Sequence, residues 1–280
     1  MPAYNRPVRD AAGLQDFLAA VVACDPRNRL PEGCNIPIFE APLVGIADAH
    51  DALFDDLRKP GVVGPIHVLP DYWLPGARSV ISYFVPFSGE IKTAYVKGRR
   101  LPPLEWVSGR LNGEIFNNVL RRALLRLLQK LGAKAVIPNL DIRYKAENWL
   151  PKWSERHVGF VAGLGTFGLH AGLLTVKGTA GRMGSVVTNL VLPPVQRPYT
   201  GPYEYCPWKT KKRCGACMKA CPVGAVTPGG KDHRVCVTNT AKYIRPAYSA
   251  WGYHGCGHCQ NNLPCSDRLP AEAATRRKSL

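Results

Sequence analysis

Eight of the ten cysteines in this chain fall between Cys206 and Cys265, and the other two, Cys24 and Cys34, stand far upstream. That distribution divides the 280 residues in two. The division is placed in LPPVQRPYTGPYEYCPW, residues 192–208, which is rich in Pro and aromatic residues and has no periodicity. One domain is therefore expected over residues 1–195 and a second over 196–280.

The spacing within the second part names its chemistry. RCGACMKACPVGAV carries Cys214-x2-Cys217-x3-Cys221-Pro222, the last three thiols of the bacterial ferredoxin run C-x2-C-x2-C-x3-C-P. In that run three cysteines hold one iron–sulfur cluster and the fourth, before Pro, crosses to another. The first thiol would stand at position 211, where the chain has Lys211. Cys206 is the upstream thiol within reach, and the longer loop adds little closure entropy. With Cys236, Cys256, Cys259 and Cys265 the count is eight, the number two [4Fe–4S] clusters require. By the crossing rule Cys206, Cys214, Cys217 and Cys265 take one cluster, and Cys221, Cys236, Cys256 and Cys259 the other.

Disulfides are the wrong alternative, because the apolar stretch from Phe17 to Cys24 is short and flanked by Asp16 and Asp25, unlike a signal peptide. Two structural zinc sites are the stronger rival, since paired CxxC motifs also suit zinc; the Cys-Pro-Val-Gly-Ala-Val tail is a feature a zinc ribbon does not need. His258 is expected beside a cluster ligand or facing solvent, His233 and His254 as structural, and Cys24 and Cys34 as small packed hydrophobes. Export and a membrane span are not expected, and clusters of this kind place the chain in a reducing, anaerobic cytoplasm.

Before residue 192 the pattern mixes helix and strand without a βαβ rhythm, which predicts an α+β sandwich. Ser79 to Phe87 reads as a buried strand, and Ala133–Pro138 and Ser185–Leu192 as two more. Ile115, Phe116, Val119, Leu120, Ala123, Leu124, Leu127, Leu128 and Leu131 fall at helical spacing, closed by Gly132. Arg121, Arg122, Arg126 and Lys130 are read as the solvated face of that helix, and a further helix is expected over 154–162.

Lys plus Arg outnumber Asp plus Glu by 37 to 20, a formal +17. Two oxidised thiolate-bound clusters would reduce this to about +13. Such a surplus suits nucleic acid, an acidic electron donor or a phosphate-bearing cofactor. Residues 153–192 are crowded with glycines, as suits a backbone approaching a large flat ligand. GLGTFG in that stretch has the spacing of a dinucleotide site but lacks the preceding strand and the later acidic residue.

Glu155-Arg156, GLGTFG, GRMGSVVTNL and the eight thiols, in that order, resemble the catalytic core shared by epoxyqueuosine reductases and corrinoid-dependent reductive dehalogenases. The resemblance implies a nitroreductase-like, cobalamin-binding sandwich domain followed by a ferredoxin-like two-cluster domain. It implies that electrons pass through two [4Fe–4S] clusters to the corrinoid cobalt, which reduces a small or modified-nucleoside substrate. Gly163, Gly165, Gly168, Gly184, Ser185 and Thr188 would border the corrin, and Arg182 would meet its amide or phosphate tail. The alternative for Glu155 and Arg156 is an ion pair within the core.

The chain departs from the resemblance at the proton donor. An aspartate is expected shortly before Glu155-Arg156, but the segment is AENWLPKWSER and its nearest counterpart is Asn148. Tyr144, flanked by Arg143 and Lys145, and Glu147 are the other catalytic candidates. The C-terminal helical-repeat region that assists tRNA binding in some relatives has no counterpart, so tRNA is a doubtful substrate. The electron donor is expected to be an acidic ferredoxin or flavodoxin docking on Lys209, Lys211, Lys212 and Arg213. The second function weighed is an electron-transfer protein or reductive activator serving a separate corrinoid enzyme.

Overall fold

The computed structural model describes residues 8–31, 35–95, 100–147, 150–253, 255–271 and 273. Cys34, Asn148 and His254 lie outside them, as does the side chain of Glu147.

A four-stranded antiparallel sheet organises the chain, in the order β1 (Leu43–Asp48), β2 (Ser79–Pro86), β8 (Gly181–Thr188) and β3 (Ala135–Val136). β2 pairs with β1 from Leu43↔Phe84 to Asp48↔Ser79 and with β8 from Ser79↔Thr188 to Pro86↔Gly181. Every residue of β2 is buried, so both faces of the sheet are covered. One face packs on α1 (Ala11–Cys24) and α5 (Leu104–Lys130); α2 (Leu53–Leu57), α3 (Pro70–Trp73) and α6 (Glu155–Val161) cover the other. α4 (Gly89–Thr93) closes the α5 side. Two hairpins complete this part, β4 (Ala146–Glu147) with β5 (Leu150–Pro151) and β6 (Gly165–Phe167) with β7 (Leu173–Thr175).

The cysteine-rich part holds α7 (Pro207–Lys211), α8 (Ala216–Ala220), the hairpin β9 (Val226–Thr227) with β10 (Gly230–Lys231), and α9 (His233–Asn239), which runs into a π-helical turn over Thr240–Ile244. These pieces are short, and their packing reaches into both cores: Ile244 and Tyr253 join the α1–α5 side, while Cys217, Val226 and Leu263 join the α6 side. The Tyr95 hydroxyl donates to the Cys256 carbonyl. Residues 192–208 are docked, with Tyr199 stacked on Phe160 at 5.2 Å and donating to its carbonyl at 2.6 Å.

Several sequence expectations need correcting. Arg121 does not lie on a solvated face: it is 3% exposed and pairs with Glu114 at 2.7 Å and Glu155 at 3.5 Å. Ile115, assigned to the apolar stripe, is 64% exposed, because α5 is turned so that Phe116, Leu120 and Leu124 meet the sheet. The strand read over 185–192 lies four residues earlier, over Gly181–Thr188. Its glycines fit there because Phe84 and Tyr83 occupy the space a Cβ would need at Gly181 and Gly184. Cys24 is exposed at the end of α1 and is not a packed hydrophobe.

Candidate functional site

Loops and short helices bring the eight thiols into two groups. Cys206 precedes α7, Cys214 and Cys217 stand before and within α8, and Cys265 comes from the C-terminal segment; these four line one recess. Cys221 ends α8, Cys236 lies on α9, and Cys256 and Cys259 follow; these four line a second cavity of about 1040 Å³. Burial pushes the Cys265 thiol up to about 12, reinforced by Cys217, Cys214 and Cys206. Burial likewise raises Cys256 to about 11; its backbone hydrogen bonding opposes this, and Cys259, Cys236 and Cys221 reinforce it. Thiols held so high stay protonated near pH 7 until a metal or cluster binds the sulfur and displaces the proton into solvent. Cys214 adopts φ 83°, a left-handed conformation unusual for a side chain beyond glycine, and Gly215 follows at φ 70°. Among the described residues no three His, Cys, Asp or Glu side chains converge as a single ion would require. A four-iron core accepts its thiolates at separate corners.

A cavity of about 1220 Å³ lies between α2, the β4–β5 hairpin, α6 and the β9–β10 hairpin. Its apolar wall includes Phe160, Phe167 and Leu169, and its charged residues are Arg156, Lys209, Lys231 and Arg234 against Asp56. Arg156, Lys231, His233 and Val237 line this cavity and also the Cys221–Cys259 cavity, so the two share a wall. The Arg156 guanidinium donates to the Ala171 carbonyl and lies close enough to Cys259 to feel its charge.

At the start of α6, Ser154 Oγ and His157 Nδ1 are 2.8 Å apart. Burial, then Arg156 and His67, draw His157 down to about 3, which keeps it neutral near pH 7. The ion pair weighed as the alternative for Glu155 and Arg156 is not formed, because consecutive helical residues diverge: Glu155 turns to Arg121 and Arg156 to the cavity. Burial raises the Glu155 carboxyl, a shift that Arg121 and Ser185 oppose.

The expected corrin-bordering residues scatter. Gly168 lines the large cavity. Gly163 ends α6 at φ 86° against Val195, and Gly165 lies under the Leu174 carbonyl. Gly184, Ser185 and Thr188 are bound into β8: Ser185 accepts from Trp153 Nε1 at 2.8 Å, and Thr188 Oγ1 donates to the Lys134 carbonyl at 2.9 Å. Arg182 turns toward α5, donating to the Arg110 carbonyl at 2.8 Å, and burial draws it down to about 10. A central strand has both edges hydrogen-bonded and both faces packed, which leaves these positions no open side toward the cavity.

Tyr144 is half-buried near Glu155 and Arg121, and burial raises its phenol above the usual value. Glu147 pairs with Leu150 across the β4–β5 hairpin, and Leu150 and Pro151 line the cavity. His233 borders both cavities. Lys209, assigned to donor docking, turns inward, donating to the Gly229 carbonyl at 3.1 Å beside the Tyr203 ring. His258 Nδ1 is 3.0 Å from Cys256 Sγ. Sequence reasoning passed over His157, although its i,i+3 spacing from Ser154 at a helix start is a readable sign.

Comparison with known proteins gives the same direction. The epoxyqueuosine reductase of Bacillus cereus is 29% identical over 208 residues, covering 70% of this chain and 50% of that protein. That of Escherichia coli is 28% identical over 211 residues, covering 72% and 52%. By sequence the chain is similar to epoxyqueuosine reductases over about 70% of its length. It spans about half the length of these curated relatives. An epoxyqueuosine reductase solved with an epoxyqueuosine-modified tRNA-Tyr stem loop superposes with TM-score 0.53 at 17% identity, over 94% of this chain and 69% of that one. A catabolic reductive dehalogenase in complex with 3-bromo-4-hydroxybenzoic acid gives TM-score 0.55 at 15% identity, over 96% and 38%. These two likenesses establish a shared fold of mixed helix and sheet. No family model matches the chain.

Proposed function

We propose that the chain is an oxidoreductase, a cobalamin- and iron–sulfur-dependent reductase of a small or modified-nucleoside substrate, with residues 1–195 as a nitroreductase-like sandwich and 196–280 as a ferredoxin-like two-cluster unit. One observation carries this reading: a cavity of about 1220 Å³ shares a wall with the cavity lined by Cys221, Cys236, Cys256 and Cys259. That space suits a corrin-sized cofactor, and the thiol groups suit two clusters.

Bound corrinoid would supply cobalt-centred reduction, and bound clusters would deliver electrons to it. The remaining work falls to the chain. Phe160, Phe167 and Leu169 exclude water. Lys209, Lys231 and Arg234 favour an anionic portion of the ligand, and Arg156 places a cation between the two cavities. The proton donor is sought at the β4–β5 hairpin, where Glu147 stands across from cavity-lining Leu150, with Tyr144 and Asn148 as the other candidates. Cys214 is exposed, and Lys211, Lys212 and Arg213 precede it, which suits docking of an acidic donor such as a ferredoxin or flavodoxin. The cytoplasm is the compartment that fits such clusters, and no described helix is long and apolar enough to cross a membrane. Transfer RNA stays the less favoured partner.

Anaerobically reconstituted protein is mixed with hydroxocobalamin and passed over a sizing column. Co-elution near one corrinoid per chain, with a shifted corrin spectrum, is expected. Protein that holds eight irons but no corrinoid would favour the carrier or activator instead.

A further inference from the structure

One histidine lies at the thiols of the Cys206–Cys265 group without being needed as a ligand. His170 is 3% exposed and lines the recess formed by Cys206, Cys214, Cys217 and Cys265. Its Nε2 is 3.9 Å from Cys265 Sγ, within the longer range of hydrogen bonds to sulfur. Its Nδ1 accepts the Gly172 backbone N–H at 3.1 Å. A ring nitrogen that accepts carries no proton in neutral imidazole, so the proton sits on Nε2, facing the sulfur.

The surrounding chain holds the ring in place. A Cβ at Gly168 would meet His170 Nε2 at 2.8 Å, and one at Gly172 would meet its Cε1 at 2.6 Å. Both glycines are therefore required by the imidazole they wrap, a reason the sequence could not supply. The sulfur is anchored from the other side: Thr179 N–H donates to the Cys265 carbonyl at 3.0 Å, and Ala180 N–H to the Ser266 carbonyl at 3.1 Å. A Cβ at Gly178 would meet the Ser266 carbonyl oxygen at 2.3 Å, so this approach too requires glycine. The geometry is preorganised on both partners.

We infer that His170 is a positioning residue that donates Nε2–H to the Cys265 thiolate and thereby raises the reduction potential of the cluster held by Cys206, Cys214, Cys217 and Cys265. This rests on the cluster reading above. A hydrogen bond to a ligand sulfur withdraws electron density from the cluster and favours its reduced, more negative state. With Cys214 at the surface of the same group, the effect falls on the cluster best placed to accept electrons from an external donor.

The test uses the full chain reconstituted anaerobically, with both cluster potentials followed by EPR-monitored redox titration. His170→Leu should retain eight irons and move one midpoint to lower potential while leaving the other in place; His170→Gln, which keeps a donor, should restore much of the loss. Unmoved midpoints, or equal shifts in both clusters, would overturn the inference. Because His170→Leu could lose its cluster, the wild-type protein carrying 15N-histidine is examined in parallel. A nitrogen hyperfine coupling at the Cys206–Cys265 cluster is expected, lost in His170→Gln while any coupling from His258 at the Cys256 thiol persists, and its absence from that cluster in wild type overturns the inference independently. Wild-type protein that assembles no clusters would instead refute the cluster reading on which it depends.

Discussion

Two buried residues show how single side chains respond when ordinary partners are missing or displaced. Arg121 is held between Glu155 and Glu114, and donates to the Met183 carbonyl at 3.0 Å. Removing a buried cation leaves its carboxylate uncompensated, so Arg121→Met is expected to lower unfolding free energy by about 3 kcal/mol in urea titrations. Glu114 is 41% exposed, and Glu114→Gln should cost far less. Folded Glu155 binds its proton more tightly than the unfolded chain does, so its ionisation weakens the fold as pH rises upward from about 4.3; Arg121→Met should steepen that loss. His67 has the opposite sign. It is fully buried, stacked on Trp153 at 5.4 Å, with neither ring nitrogen hydrogen-bonded, and burial draws it from 6.5 down to about 4. The unfolded chain protonates first as pH falls, so stability is full above pH 6.5 and declines toward pH 4, by roughly 3 kcal/mol. His67→Phe should keep the stacking and flatten that decline, as thermal melts at pH 7 and pH 5 would show.

At the scale of elements, glycines that look alike in sequence serve different contacts. A Cβ at Gly165 would stand 2.0 Å from the Leu174 carbonyl oxygen, backbone that cannot yield without opening the β6–β7 pair. Gly165→Ala is expected to lose about 3 kcal/mol or more in chemical denaturation, whereas Gly89→Ala, with open space around it, should change little. α5 carries the same lesson. The apolar stripe predicted a helix from Glu114, yet α5 begins at Leu104 after Pro102 and Pro103. Gly109 and Gly113 weaken the local signal, but they let the helix close on Ile91 and Phe39, where a Cβ would come within 2.7 and 2.9 Å. The core of β2 was legible because Val, Ile, Tyr and Phe run together in it, and α6 falls within the helix expected over 154–162. The β8 register was not, because its glycines are acceptable only against Tyr83 and Phe84.

For the whole molecule, the division of thiols yields the sharpest prediction. Cys206→Ala should lose about half the iron on reconstitution and leave the signal of the Cys236 cluster intact, while Cys236→Ala should do the reverse. Unchanged iron in the first variant would mean that Cys206 is not a ligand. What the sequence determined by itself is the thiol inventory, its division into two interleaved groups and the buried strand begun at Ser79, because ligand spacing and side-chain periodicity act over a few residues. Only the tertiary structure decided where those thiols stand relative to the large cavity, and that Arg156 belongs to the wall between them while Glu155 turns inward. It likewise removed most of the glycine-rich segment from the cavity by building Gly181–Thr188 into the sheet. Those outcomes depend on which faces of helix and strand are already occupied by segments distant in the chain, information that no local pattern contains.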